Sequence, residues 1–176
     1  MPFAYYEHLP NFEQRVYEFS DRRHALRIPE PARFHPTVEA IREALGEDDL
    51  AELQKQVQRL CDRVFEALGV RLVRVEVREV RPLSGVSELH GFYSRSPGDA
   101  PPVLQLWRRT AQKARPVAFR TFLRTLLHEA CHHLDFELLG LPESFHTQGF
   151  FQRETSLFWQ LLPPSEQPRH RARKAH

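Results

Sequence analysis

His128-Glu129-Ala130-Cys131-His132 is the stretch of this chain whose residue types and spacing could do chemistry. On an α-helix, positions i and i+4 lie one turn apart on one face, so both imidazoles can reach a single metal ion, with Glu129 flanking it as a candidate general base. The helical phase supports this. Thr121, Thr125, His128, His132, Asp135 and Leu139 share one face, whereas Leu123, Leu126, Leu127, Ala130 and Leu134 cluster elsewhere. The histidines therefore look away from the packing side, toward a cleft. Such a donor set fits Zn2+ and the hydrolytic chemistry of a metal-activated water with a glutamate base.

A catalytic zinc needs a third protein ligand and one open position. The metzincin arrangement, with a His six residues past His132, is excluded because that position is Leu138, and the only methionine is Met1. Two candidates remain downstream: His146, with thirteen residues between it and His132, and Glu154, with twenty-one. On one helix these two would be roughly 12 Å apart along the axis, so only one of them can touch the ion. His146 is favoured, because it follows the break Gly140-Leu141-Pro142, where a loop can swing an imidazole toward the motif; Glu154 is the alternative. Asp135 is placed to accept a hydrogen bond from a ligand imidazole or another nearby donor. His133 points about 100° off the ligand face and is expected in a supporting or surface role. Cys131 is expected to be a packed apolar residue.

The motif must be held by a helix and the helix by a sheet. Pro116 to about Leu139 reads as one long helix, and Ser144 or Thr147 to Leu162 as another, stopped by Pro163-Pro164. Upstream, residues 37–68 repeat apolar positions at helical spacing with a break at Gly46-Glu47-Asp48-Asp49, and Gly69 ends the second segment. Val70 to Val80 alternates with period two and reads as a half-buried strand. Leu89–Ser94 and Pro101–Trp107 suggest two more strands. Asn11 to Arg23, fenced by prolines, suggests a helix packing across the domain. The expected architecture is α+β: a small domain with a mixed or antiparallel sheet of three to four strands packed on helices, the motif on a long active-site helix. The boundaries read as an N-terminal extension over 1–36, the main domain with the motif over 37–162 and a basic, disordered tail over 163–176.

In element order, residues 37–162 resemble the SprT-like (Spartan-type) metallopeptidase domains among the small HExxH zincins. The residues that carry the resemblance are His128, Glu129, His132 and His146, with Phe150 four positions later. The family has Gly directly after its third His, where this chain has Thr147, and the zinc ribbon often found beyond the domain is absent. The resemblance implies a Zn2+ cofactor and hydrolysis of peptide bonds. It also implies an edge strand, either Leu89–Ser94 or Val103–Trp107, that pairs with extended substrate backbone. His90 and Tyr93 are candidate oxyanion donors. The alternative is a non-catalytic zinc-binding regulatory module for a protein or peptide partner, a role that gives Glu129 nothing to do.

With 176 residues, 41% hydrophobic and 27% charged, the chain suits one globular domain, and no apolar run approaches the ~20 residues that span a bilayer. The N-terminus lacks the pattern of a secretory signal, so a cytoplasmic setting is expected. Cys61 and Cys131 form neither a disulfide framework nor a four-cysteine zinc ribbon. A net charge of +2 is too small to imply nucleic acid; only the tail Arg169–His176 favours it. Oligomeric state is not encoded in any of these patterns.

Overall fold

A computed structural model describes residues 2–84, 87–96 and 98–167, so the basic residues of the tail and part of the 83–88 turn lie outside the description. Among the described residues, five α-helices, α1 (Asn11–Asp21), α2 (His35–Gly46), α3 (Leu50–Leu68), α4 (Phe119–Glu137) and α5 (Gln148–Leu161), accompany a three-stranded sheet. The sheet is mixed and ordered β1-β5-β4, with β1 (Arg74–Val80) parallel to β5 (Val103–Arg109) and β4 (Gly91–Ser94) antiparallel to it. A separate short pair joins β2 (Leu83–Ser84) to β3 (Ser87–Glu88). The α+β class follows directly. Among the described residues, no helix is long and apolar enough to cross a membrane.

Local chemistry sets the boundaries. Asp49 caps α3 by accepting from the Glu52 amide at 2.9 Å. Gly69, at φ 66°, takes the left-handed conformation that closes the other end of α3. β1 begins at Arg74 rather than Val70. The Val70 amide is spent on the Phe65 carbonyl in the helix cap, and Arg74 is the first residue to bond across to the Pro102 carbonyl. α4 starts at Phe119, not at Pro116, because Pro116 forms an isolated antiparallel bridge with Arg109.

One sheet face is covered by helices. Val75, Val77, Leu104 and Leu106 join Leu53, Val57, Leu60, Leu123, Leu126, Leu127 and Leu157 in a single core. Arg74, Glu76 and Arg78 alternate onto the uncovered face, where both arginines pair with Glu76. The same core contains Leu26, Ile28 and Phe34 from the segment expected to be an extension. At the other end, Pro164–Glu166, expected in the tail, form a 3-10 turn; Glu166 pairs with Arg42 at 2.5 Å and Gln167 donates to the Trp159 and Leu162 carbonyls.

The two edges of the sheet differ. Along β1, the side chains of Gln54 and Gln58, one turn apart on α3, act as a surrogate strand. Gln54 accepts from the Val77 amide and donates to the Val75 carbonyl; Gln58 accepts from the Val75 amide and donates to the Val73 carbonyl, all at 2.7–2.9 Å. β5, bonded on both sides, is the central strand, so Val103–Trp107 cannot serve as an edge. β4 is the other edge, and it lies against α4.

Candidate metal centre

α4 presents His128 and His132 one turn apart, as the helical phase requires, and the chain then reverses through Gly140 at φ 63°. The returning loop carries Ser144 and His146 back over α4 before Thr147 caps α5 by accepting from the Phe150 amide at 2.9 Å. His146 Nε2 lies 3.0 Å from His128 Nε2 and 3.1 Å from His132 Nε2. One ring nitrogen from each of the three lies within 4.8 Å of the others. The buried Phe150 ring floors the cluster, with centroids 4.7–5.2 Å from the three imidazoles.

The outer nitrogens show which way the lone pairs point. His128 Nδ1 meets Glu154 Oε2 at 3.2 Å; a carboxylate can only accept, so the proton sits on Nδ1, and in the neutral ring that a metal ligand requires Nε2 carries the lone pair. His132 Nδ1 meets Ser144 Oγ at 2.8 Å, and that hydroxyl donates to Asp135 Oδ2 at 2.8 Å. The serine proton is thereby used, so the serine accepts from His132 Nδ1 and again leaves Nε2 bare. Two inward lone pairs thus face His146 Nε2. Tetrahedral zinc at 2.0–2.1 Å from nitrogen sets its ligand nitrogens about 3.3 Å apart, so the donor set, tautomers and spacing fit such an ion.

Glu154, the alternative ligand, is not part of this inner cluster. It reaches His128 from the far side of the ring, through Nδ1, and also pairs with Arg124 at 3.3 Å. Its carboxylate is buried, not the helix-surface group that its neighbour Arg153 suggests. Asp135 does not touch a ligand imidazole either. Both its oxygens accept from Arg153 Nη2, at 2.8 and 3.0 Å, and it reaches His132 only through Ser144. Burial pushes the Asp135 carboxyl up from its ordinary value, against the opposing pull of Arg153 and the Ser144 hydroxyl. His133 is fully buried between the Tyr93 hydroxyl at 3.1 Å and the Arg71 carbonyl at 2.6 Å, a core strut rather than a surface or metal-facing residue. The Tyr93 phenol is engaged with His133, and burial raises it to about 12.

Glu129 projects under β4. Its carboxyl is raised to about 7 by burial, opposed by His128 and by a hydrogen bond from the Tyr93 amide. His132 is pushed down to about 3 by burial and then by His128 and His146, and His146 is lowered by burial and His128 against the opposing pull of Glu154. Both cysteines are buried and free, and burial pushes the Cys131 thiol upward, as suits a packed residue. Two cavities flank the site. One, of about 420 Å³, is lined by Leu89, His90, Gly91, Arg124 and Thr125; the other, of about 350 Å³, by Phe92, Tyr93, Phe136, Glu143, Ser144 and His146. Gly91, His128 and Glu129 line both, so a cleft runs along β4 with the histidines at its middle.

The residues that sequence alone does not single out are Ser144, Arg153 and Gly91. Hydroxyls and glycines carry no periodic signal, and the partners of Arg153 lie far away in the chain. No protein-family model, no curated protein and no solved structure matches this chain.

Proposed function

We propose that this protein is a zinc-dependent peptidase, with His128, His132 and His146 as ligands and Glu129 as general base. The observation that carries the reading is the convergence of three imidazoles, two of them fixed with inward lone pairs, beside a buried carboxylate in an open cleft. A zinc ion held there would supply Lewis-acid activation of a water and of the scissile carbonyl. Glu129 would take the proton from the attacking water on a carboxylate oxygen and deliver it to the leaving amine nitrogen. The outer edge of β4 would hold an extended peptide by main-chain hydrogen bonds, which favours a protein or peptide substrate with little sequence selectivity. The zincin-like, SprT-like assignment and a cytoplasmic setting belong to the same proposal, and the order of sheet and motif helix supports the first of them.

Metal analysis tests it. Protein purified without chelators is expected to hold about one zinc per chain, lost in His128→Ala and His132→Ala. Glu129→Gln is expected to keep the metal and lose cleavage of an unstructured protein substrate by roughly 10²–10⁴-fold. A metal-free wild type, or unchanged turnover in Glu129→Gln, overturns the reading.

A further inference from the structure

We propose that Ser144 is a positioning residue for this centre: its hydroxyl, aimed by the buried Asp135–Arg153 pair, fixes the tautomer and ring angle of His132 and anchors the loop that delivers His146. The inference rests on the metal-centre reading above. Ser144 Oγ lies 2.8 Å from both His132 Nδ1 and Asp135 Oδ2, so one hydroxyl donates to the carboxylate and accepts from the imidazole. The direction of this relay is set behind it. Arg153 is fully buried and gives Nη2 to both Asp135 oxygens, so Asp135 is the charge partner of a guanidinium and acts as the acceptor toward Ser144. The opposite polarity, a protonated Asp135 donating to Ser144, would leave that guanidinium in the core without a countercharge.

Arg153 is in turn oriented by the C-terminal end of α1. Its Nη1 donates to the Ser20 carbonyl at 2.6 Å and the Arg23 carbonyl at 2.5 Å, and Nη2 also donates to Ser20 Oγ at 2.9 Å. Ser144 stands two residues before His146, and Tyr5 holds the His146 carbonyl at 2.9 Å from the outside. One hydroxyl therefore serves two ligands: it sets the protonated nitrogen of His132 and pins the loop that carries His146. An alanine at 144 leaves the imidazole free to turn over or to exchange tautomers, and unties the loop from α4.

The test uses Ser144→Ala and Ser144→Thr with two readouts besides turnover. Long-range 1H–15N spectra of metal-free wild type are expected to show His132 as the Nδ1–H tautomer, and those of Ser144→Ala a mixture. Zinc affinity, measured by competition with a chromophoric chelator, is expected to fall roughly 10–100-fold in Ser144→Ala. Ser144→Thr, which keeps the hydroxyl, is expected to restore the tautomer and most of the affinity. Thermal midpoints of the metal-free proteins separate this from loss of fold, since threonine and alanine differ here in the hydroxyl that the relay needs. Wild-type affinity and tautomer in Ser144→Ala, or a Ser144→Thr as weak as Ser144→Ala, overturns the inference while leaving the metal centre standing. A wild type that binds no zinc overturns the centre and this inference together.

Discussion

Any side chain at position 91 would collide with Glu129. A Cβ at position 91 would lie 2.5 Å from Glu129 Oε1 and 2.8 Å from both Glu129 Cγ and Thr125 Cγ2. β4 is bonded to β5 along its length, so the strand cannot withdraw and the carboxylate must move instead. Gly91→Ala is therefore expected to retain zinc, because no histidine contact is touched, and to lose roughly 100-fold in kcat/KM through a misplaced base. Parallel zinc analysis and peptide cleavage check this; equal loss of metal would place the damage elsewhere. Residues of this kind are hard to read from sequence. The i,i+4 histidines are legible because helix geometry alone relates them. His146 is legible only as one of two candidates, because a loop of unknown path separates it from the motif. Glu154 is the other candidate, and in the fold it meets His128 Nδ1 instead of joining the three facing Nε2 atoms. Its carboxylate orients His128 from behind, a distinction that depends on which ring nitrogen it meets and that no spacing rule contains.

Among the elements, the two sheet edges show how a pair of side chains decides where a strand can be added. Gln54 and Gln58 satisfy the outer edge of β1 with four hydrogen bonds. An unprotected edge is a template for pairing with another chain. Gln54→Ala with Gln58→Ala is expected to lower stability by about 1 kcal/mol per lost pair of bonds and to promote self-association. Urea titration and light scattering read the two effects, while zinc affinity should not change because the site borders β4 at the opposite edge. Monomeric behaviour with wild-type stability would show that water replaces the glutamines without loss. The helices themselves are legible from apolar spacing, down to the break between Gly46 and Leu50 and the stop at Gly69. The strands are legible as segments but not in their order. Whether β5 or β4 lies at the edge depends on pairing between residues distant in sequence, here a parallel partner in β1 and an antiparallel one in β4.

For the whole molecule, the consequence concerns residues 2–28, which look like an appendage in sequence and are built into both core and site. Leu26 and Ile28 lie in the same core as the sheet, and removing each forfeits roughly 1.5–3 kcal/mol of burial. Tyr17, also buried, is ringed by Tyr5, Tyr6 and Phe145, the last of these on the loop that carries His146. Arg153 would lose the Ser20 and Arg23 carbonyls and Ser20 Oγ, leaving its charge in the protein with Asp135 alone. Hydrogen bonds to a charged group are worth about 1.5–3 kcal/mol each, and with the lost burial their removal approaches the entire stability of a typical domain, about 5–15 kcal/mol. A chain lacking residues 2–28 is therefore expected to show no cooperative unfolding transition and no tight zinc site. Zinc bound as proposed would work in the opposite direction, because it would tie α4 to the loop before α5. At a free concentration of 100 times Kd it is expected to stabilise the intact protein by about 2.7 kcal/mol, and the shortened chain far less. Urea unfolding of both chains with and without zinc measures all four corners of this cycle. A shortened chain that unfolds cooperatively and gains the same stabilisation from zinc would show that α1 rests on the site without supporting it.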